Sequence, residues 1–389
     1  REASNITATP EYKKFVLENP WLEEYALFMV MKQQHRYHSW ESWPEDLKTP
    51  STETLYSLRK EYATEITTVM CKQYLCFQQF EEVKRTATEN NVLIKGDIPI
   101  LIGRDSADVW CHRDIFCIKN SAGAPPDMYS ATGQNWGFPV YDWDKLEEQD
   151  YVWWRQRLIT AERLYHLYRI DHIVGFYRIW AIPHGKSGRD GHFIPGGEHE
   201  WIPHGERIMR MMLESSQILP IGEDLGVVPT EVRDNLASLG ICGTKVMRWE
   251  RKWHGDQSFI DPTEYTSMSM STVSTHDSET LEEWWEKNPK ESKLYSSSHG
   301  WEHKENLTPE HRTSLLRACH HSNSLFHINL LQEYLALFPD LISSNPEDER
   351  INIPAKISTK NWSYRFKPSV EEIMADTRLG DAIREILRP

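Results

Sequence analysis

A chain of 389 residues with 39% hydrophobic content can bury one large core, which excludes a disordered polypeptide and favours one elaborated domain over a string of small ones. Its 44 Lys and Arg against 58 Asp and Glu leave a formal charge of −14, which argues against nucleic acid or an anionic membrane as the main partner and suits a neutral ligand. The 16 Trp and 16 Tyr, many in segments that also carry Gly, Pro and Asp, suit binding to sugar faces, although core filling is the commoner duty of any single Trp.

Six cysteines, Cys71, Cys76, Cys111, Cys117, Cys242 and Cys319, form no C-x-x-C pair and read as reduced thiols in a cytoplasmic protein. No apolar run reaches the roughly 18 residues of a membrane span, and the N-terminus has no charged stretch followed by an apolar one. The chain begins with Arg1, so upstream sequence is expected to be missing.

In chain order, residues 1–50 are helical, with Phe15, Trp21, Leu22, Tyr25, Ala26 and Phe28 at mixed three and four spacings. A long helical pattern from about Ser51 to Glu89 completes a helical insertion subdomain over 1–90. It leads into the apolar run Val92–Ile102, a buried strand. The segment Arg104–Trp143 is too long for an ordinary connection and is expected to be an active-site loop over 104–143. Strands follow at Leu167–Asp171, Ile218–Glu223, Thr244–Trp249, Ser269–Thr275 and around Arg350–Ile353. Helices are predicted near Asp150–Leu164, Glu206–Ser216, Thr230–Leu239, Ser278–Glu286 and Pro309–Phe338, with an insertion over 181–203. This alternation predicts an α/β fold, a (β/α)8 TIM-type barrel occupying 91–389 and lacking its first strands.

In such a barrel the reactive groups sit where apolar strands end, and three carboxylates do so: Asp171 in Tyr168-Arg-Ile-Asp-His172, Glu223 in Leu219-Pro-Ile-Gly-Glu223, and Asp277 in Val273-Ser-Thr-His-Asp277. Arg169 lies two residues before Asp171, on the same face of the strand, and keeps that carboxylate ionised, as a nucleophile must be. Glu223 has no cation adjacent in sequence, and partial burial near a second acid raises its pKa toward that of a proton donor. These are the two roles of a retaining glycosidic cleavage. Asp277 is placed to hold sugar hydroxyls, and His172 and His276 to donate to the same ring. Taken singly, Arg-x-Asp is most often a structural ion pair. A metal site from His172, His276 and nearby acids is the chemical competitor, but the barrel motifs lack an H-x-H or H-x-x-x-H pair.

At these residues the chain resembles the amylomaltases, the 4-α-glucanotransferases of glycoside hydrolase family 77. The resemblance runs through Gly96-Asp-Ile-Pro-Ile100, Asp105-Ser-Ala-Asp-Val-Trp110, Gly123-Ala-Pro-Pro-Asp127, Ser130-Ala-Thr-Gly-Gln-Asn-Trp-Gly137, Arg169-Ile-Asp-His172, Gly222-Glu-Asp-Leu-Gly226, Thr275-His-Asp277 and Asn361-Trp-Ser-Tyr-Arg365. It implies Asp171 as nucleophile, Glu223 as acid/base and Asp277 as transition-state stabiliser. It further implies substrate contacts from Asp127, Gln134, Trp136, Arg169, His172, His276 and Asn352. Ser278-Glu279 depart from the family's usual Asn-Asp. The implied activity is transfer of α-1,4-glucan segments between maltooligosaccharides, or from glycogen- or starch-derived glucans, with no metal and no organic cofactor. The rivals are a retaining α-1,4-glucan hydrolase and a glucan-binding fragment without turnover. Oligomeric state is not legible.

Overall fold

The computed structural model describes residues 2–126, 130–253, 255–354 and 356–388. The chain forms two compact units, Arg1–Asn235 and Leu236–Pro389, and the division falls within the helix Thr230–Ser238.

The first unit opens with helices whose starts follow local chemistry. The Thr9 side chain accepts from the Tyr12 amide ahead of Pro10–Glu18, and Ser51 does the same for Thr54 ahead of Thr52–Glu61. The predicted helix from Ser51 to Glu89 is therefore two, broken at Tyr62, with Ala63–Glu89 as the long member. Tyr12, Phe15, Leu22, Cys71, Tyr74 and Phe77 close this helical layer into a buried cluster.

Next comes strand β1 (Lys95–Ile98), shorter than the apolar run suggested, because Val92 and Leu93 are exposed before it. The segment after it is an antiparallel sheet rather than an open loop. Strands β2 (Phe116–Ala124) and β3 (Gln134–Tyr141) pair with each other, and after β4 (Leu167–Ile170), β2 also pairs with β5 (Ile179–Pro183), which pairs with β6 (His192–Ile194). The 181–203 insertion thus supplies an edge strand, and it also braces the β2–β3 connection. Gly188 lies against Gly133 so closely that an added Cβ would sit 2.7 Å from its carbonyl carbon. Its carbonyl accepts from Trp180 at 2.8 Å. Strands β1, β4 and β7 (Leu219–Gly222) form a parallel sheet in register, with Ile98 beside Ile170 and Ile170 beside Gly222.

In the second unit, β8 (Gly243–Val246), β9 (Ser269–Thr272) and β10 (Phe326–His327) form another parallel sheet, in the order β10-β9-β8. Its core joins Val273, Leu281, Trp284, Trp285, Tyr295 and Leu316. Two expectations fail here. The helix predicted over Pro309–Phe338 ends at His320, where the polar run Ser322-Asn323-Ser324 leads into β10, and a short helix, Leu331–Leu335, follows. The strand expected around Arg350–Ile353 is irregular backbone held by single bonds, such as Asn352 N–H to the His276 carbonyl at 3.0 Å.

Candidate active site

The parallel register of the first unit decides which side chains meet. Adjacent strands run about 4.7–4.9 Å apart, so the residues that follow the aligned positions Ile170 and Gly222 leave the sheet side by side. Those residues are Asp171 and Glu223. Backbone bonds continue past the strands: Glu223 N–H donates to the Ile170 carbonyl at 2.8 Å, and Ile173 N–H donates to the Glu223 carbonyl at 3.1 Å.

Arg169 lies across the register from Asp97 and binds both carboxylates. Its Nη1 reaches the two Asp97 oxygens at 3.1 and 3.0 Å, and its Nη2 lies 2.7 Å from Asp171 Oδ1. Burial lowers this guanidinium's pKa, and the charges of Asp171, Asp97 and Glu223 outweigh burial, holding it above the usual arginine range. Asp97 has no role in the sequence reading; its signal is a carboxylate within the run Val92–Ile102, which reads as a buried strand.

Glu223 is treated differently by its surroundings. Burial pushes its pKa up to about 7; Arg169 opposes that shift, Asp171 reinforces it, and the amides of His172 and Leu225 oppose it. Those amides donate to its two oxygens at 2.9 and 3.0 Å, which fixes the carboxyl plane. The His172 amide can do this because the residue turns left-handed, at φ 47° and ψ 53°.

The His172 imidazole is pushed down to about 4 by burial, then by Arg178, against the pull of Asp171, so it is neutral over the physiological range. Gly175 makes room for it, since a Cβ there would lie 2.8 Å from the His172 ring. Trp136 meets the same ring edge-on at 5.0 Å. Trp136 stands two residues from Gln134 on β3, and its Nε1 donates to Gln134 Oε1 at 3.0 Å. The first unit thus brings Gln134, Trp136, Arg169, Asp171, His172 and Glu223 into one connected set. Asp127 lies outside the described residues.

The second unit gathers the other candidates around Asp277. Asn352 Nδ2 donates to Asp277 Oδ1 at 2.7 Å, and His276 Nε2 lies 3.3 Å from Asp277 Oδ2. Trp362 inclines over the His276 ring at 5.4 Å. It is a large exposed aromatic within the motif Asn361-Trp-Ser-Tyr-Arg365, to which the sequence alone gives no role. Behind the turn, Ser278 Oγ accepts from the Thr275 amide at 2.9 Å, and Glu279 lies 3.4 Å from the buried Arg248 and 3.7 Å from Arg350. Arg350 also donates to the carbonyls of Asn352, at 3.3 Å, and Asp277, at 3.5 Å. Among the described residues no group of His, Cys, Asp and Glu has the arrangement of a metal site.

The chain has relatives among known proteins. A family model described as 4-alpha-glucanotransferase matches residues 1–371. The 4-alpha-glucanotransferase of Chlamydia pneumoniae is 43% identical over 385 residues, spanning 99% of this chain and 72% of that protein. That of Chlamydia caviae is 44% identical over 372 residues, spanning 95% of this chain and 69% of the relative. Among solved structures, an amylomaltase from Streptococcus agalactiae in complex with acarbose superposes with a TM-score of 0.82 at 25% identity, over 98% of this chain and 75% of that one. The fold is accordingly of the α/β, TIM-type barrel class. With a family model matched over nearly all its length and relatives above 40% identity, the chain belongs to the 4-alpha-glucanotransferase family, glycoside hydrolase family 77.

Proposed function

We propose that the chain is a 4-α-glucanotransferase acting by retaining double displacement on maltooligosaccharides and the glucans they derive from. The observation that carries this reading is the pairing of Asp171 and Glu223 at adjacent strand ends, one bound by Arg169 and the other raised to about 7. The Asp171 carboxylate attacks the anomeric carbon of the donor sugar while Glu223 gives its proton to the departing 4-oxygen. The C–O bond to the leaving glucan breaks, and an ester to Asp171 forms. Glu223, now a base, takes the proton of an acceptor 4-hydroxyl, whose oxygen displaces Asp171 and restores the α-linkage.

Asp277 is carried into this scheme from the family motif, as the acid that steadies positive charge at the ring. Its bond to Asn352 and its contact with His276 orient it for hydroxyl contacts. Asp127, Gln134, Trp136, Arg169, His172, His276 and Asn352 are the proposed substrate contacts. Transfer is favoured over hydrolysis by the β2–β3 segment, whose Trp136 adjoins the His172 imidazole and suits the exclusion of water from the glycosyl-enzyme. The proposed setting is the cytoplasm; among the described residues no helix is long and apolar enough to cross a membrane.

The test is maltotriose as sole substrate. Glucose with a ladder of longer oligosaccharides is expected, and Asp171→Asn is expected to lower its formation at least about a thousandfold, roughly 4 kcal/mol of barrier. Glucose and maltose without a ladder would identify a hydrolase, and glucan binding without products a binder.

A further inference from the structure

Within the Arg1–Asn235 unit, none of the residues around Asp171 and Glu223 lines a cleft of about 490 Å³ where the helices Trp21–Gln34, Ala63–Glu89 and Val152–Glu162 meet the short helix Ala107–Cys111. Its walls are aromatic. Trp21 meets Tyr25 edge-on at 6.1 Å and Phe77 at 5.9 Å, and Trp153 stands on the opposite helix with its Nε1 bound to Asp108 at 3.1 Å.

The charges in the cleft offset one another. His112 Nε2 lies 3.0 Å from Glu24, and the Arg157 guanidinium sits 5.3 Å over the ring of Trp153, whose Nε1 binds the Asp108 carboxylate. An anion would meet Glu24 and Asp108, and a cation would meet Arg157, so neither sign is favoured.

Hydrogen-bonding capacity remains unspent. Arg157 is committed, with Nη2 on the Pro99 carbonyl at 2.8 Å and its guanidinium against the Tyr141 hydroxyl. Gln156, Thr160 and the Tyr25 hydroxyl line the cleft without a polar partner among the described residues. A ligand with apolar C–H faces and a ring of hydroxyls satisfies both features, the faces against indole and phenol and the hydroxyls against the Gln156 amide and the Thr160 and Tyr25 hydroxyls. The volume falls in the range of roughly 300–1,000 Å³ typical of ligand sites, room for a short oligosaccharide.

We propose that this cleft is an accessory saccharide-binding site that holds a short α-glucan segment between Trp21 and Trp153, apart from the residues that perform the chemistry. The identity of the sugar rests on the glucan reading above, whereas the cleft's chemistry stands independently. A second grip on one polymer raises the effective concentration of its chain ends at the catalytic residues.

The experiment uses the Asp171→Asn chain, in which turnover does not consume the ligand. Equilibrium dialysis with labelled maltotetraose is expected to show two classes of site. Tyr25→Ala combined with Gln156→Ala is expected to weaken one class at least about tenfold and spare the other. Thr160→Trp, which fills the cleft and leaves Tyr25 and Gln156 in place, is expected to give the same selective loss even if the double variant folds poorly. A single class in the parent, or both classes intact in Thr160→Trp, overturns the proposal. Maltotriose conversion by the unmutated chain is read in parallel. A ladder without the second class removes the cleft and leaves the transferase reading, and a second class without a ladder does the reverse.

Discussion

At Glu223 burial and the Asp171 charge raise the pKa, while Arg169 and two backbone amides lower it, and the balance falls at about 7. The first step of the proposed mechanism needs the protonated acid. The kcat/KM for maltotriose is therefore expected to hold below about pH 7 and to fall about tenfold per pH unit above it. Because the Asp171 charge raises Glu223, Asp171→Asn should move the Glu223 titration to lower pH, read from the carboxyl carbon by NMR. An unchanged midpoint would mean that the two acids do not interact. Much of this was legible in the chain, since Arg169 and Asp171 share a face by spacing alone. Asp97 was not, because it reaches Arg169 only through strand pairing across 72 positions.

Among the elements, the turn after β9 shows what the departure from the family's Asn-Asp accomplishes. Ser278 is buried and closes the turn on Thr275, while Glu279 joins Arg248 and Arg350 behind it. Ser278→Ala leaves the Thr275 amide without this acceptor and is expected to cost about 1–3 kcal/mol in chemical denaturation. No change in the midpoint would show that the turn is held by Glu279 and Arg350 alone. Elements were readable where an apolar run ended in a polar residue, as at β4, β7 and β9. The four-stranded antiparallel sheet escaped notice because β2 and β3 carry Gly, Asn and Pro, residues that signal loops. The two-residue β10 was too short to register as a period.

For the molecule as a whole, a formal charge of −14 and a neutral polymer as ligand have a joint consequence. Retardation of the chain in a glycogen-containing gel is expected to be nearly independent of salt between about 50 and 500 mM, because screening acts on charge pairs and not on sugar–aromatic contacts. Retardation that collapses with salt would point to ionic association instead. The barrel class was legible from the order of strands and helices, which needs no contact information. Asn352 was legible only through the family resemblance, and its bond to Asp277 was not, since the strand expected around Arg350–Ile353 is irregular backbone.

The left-handed turn at His172 divides two duties within a single residue. Its main-chain N–H tethers the Glu223 carboxyl whatever side chain the position bears, and only its ring meets the indole of Trp136. Asparagine tolerates that backbone region far better than most residues. An asparagine there would keep the tether and silence the imidazole, so evolution, or an experimenter, can alter how the pocket greets a sugar without loosening its acid.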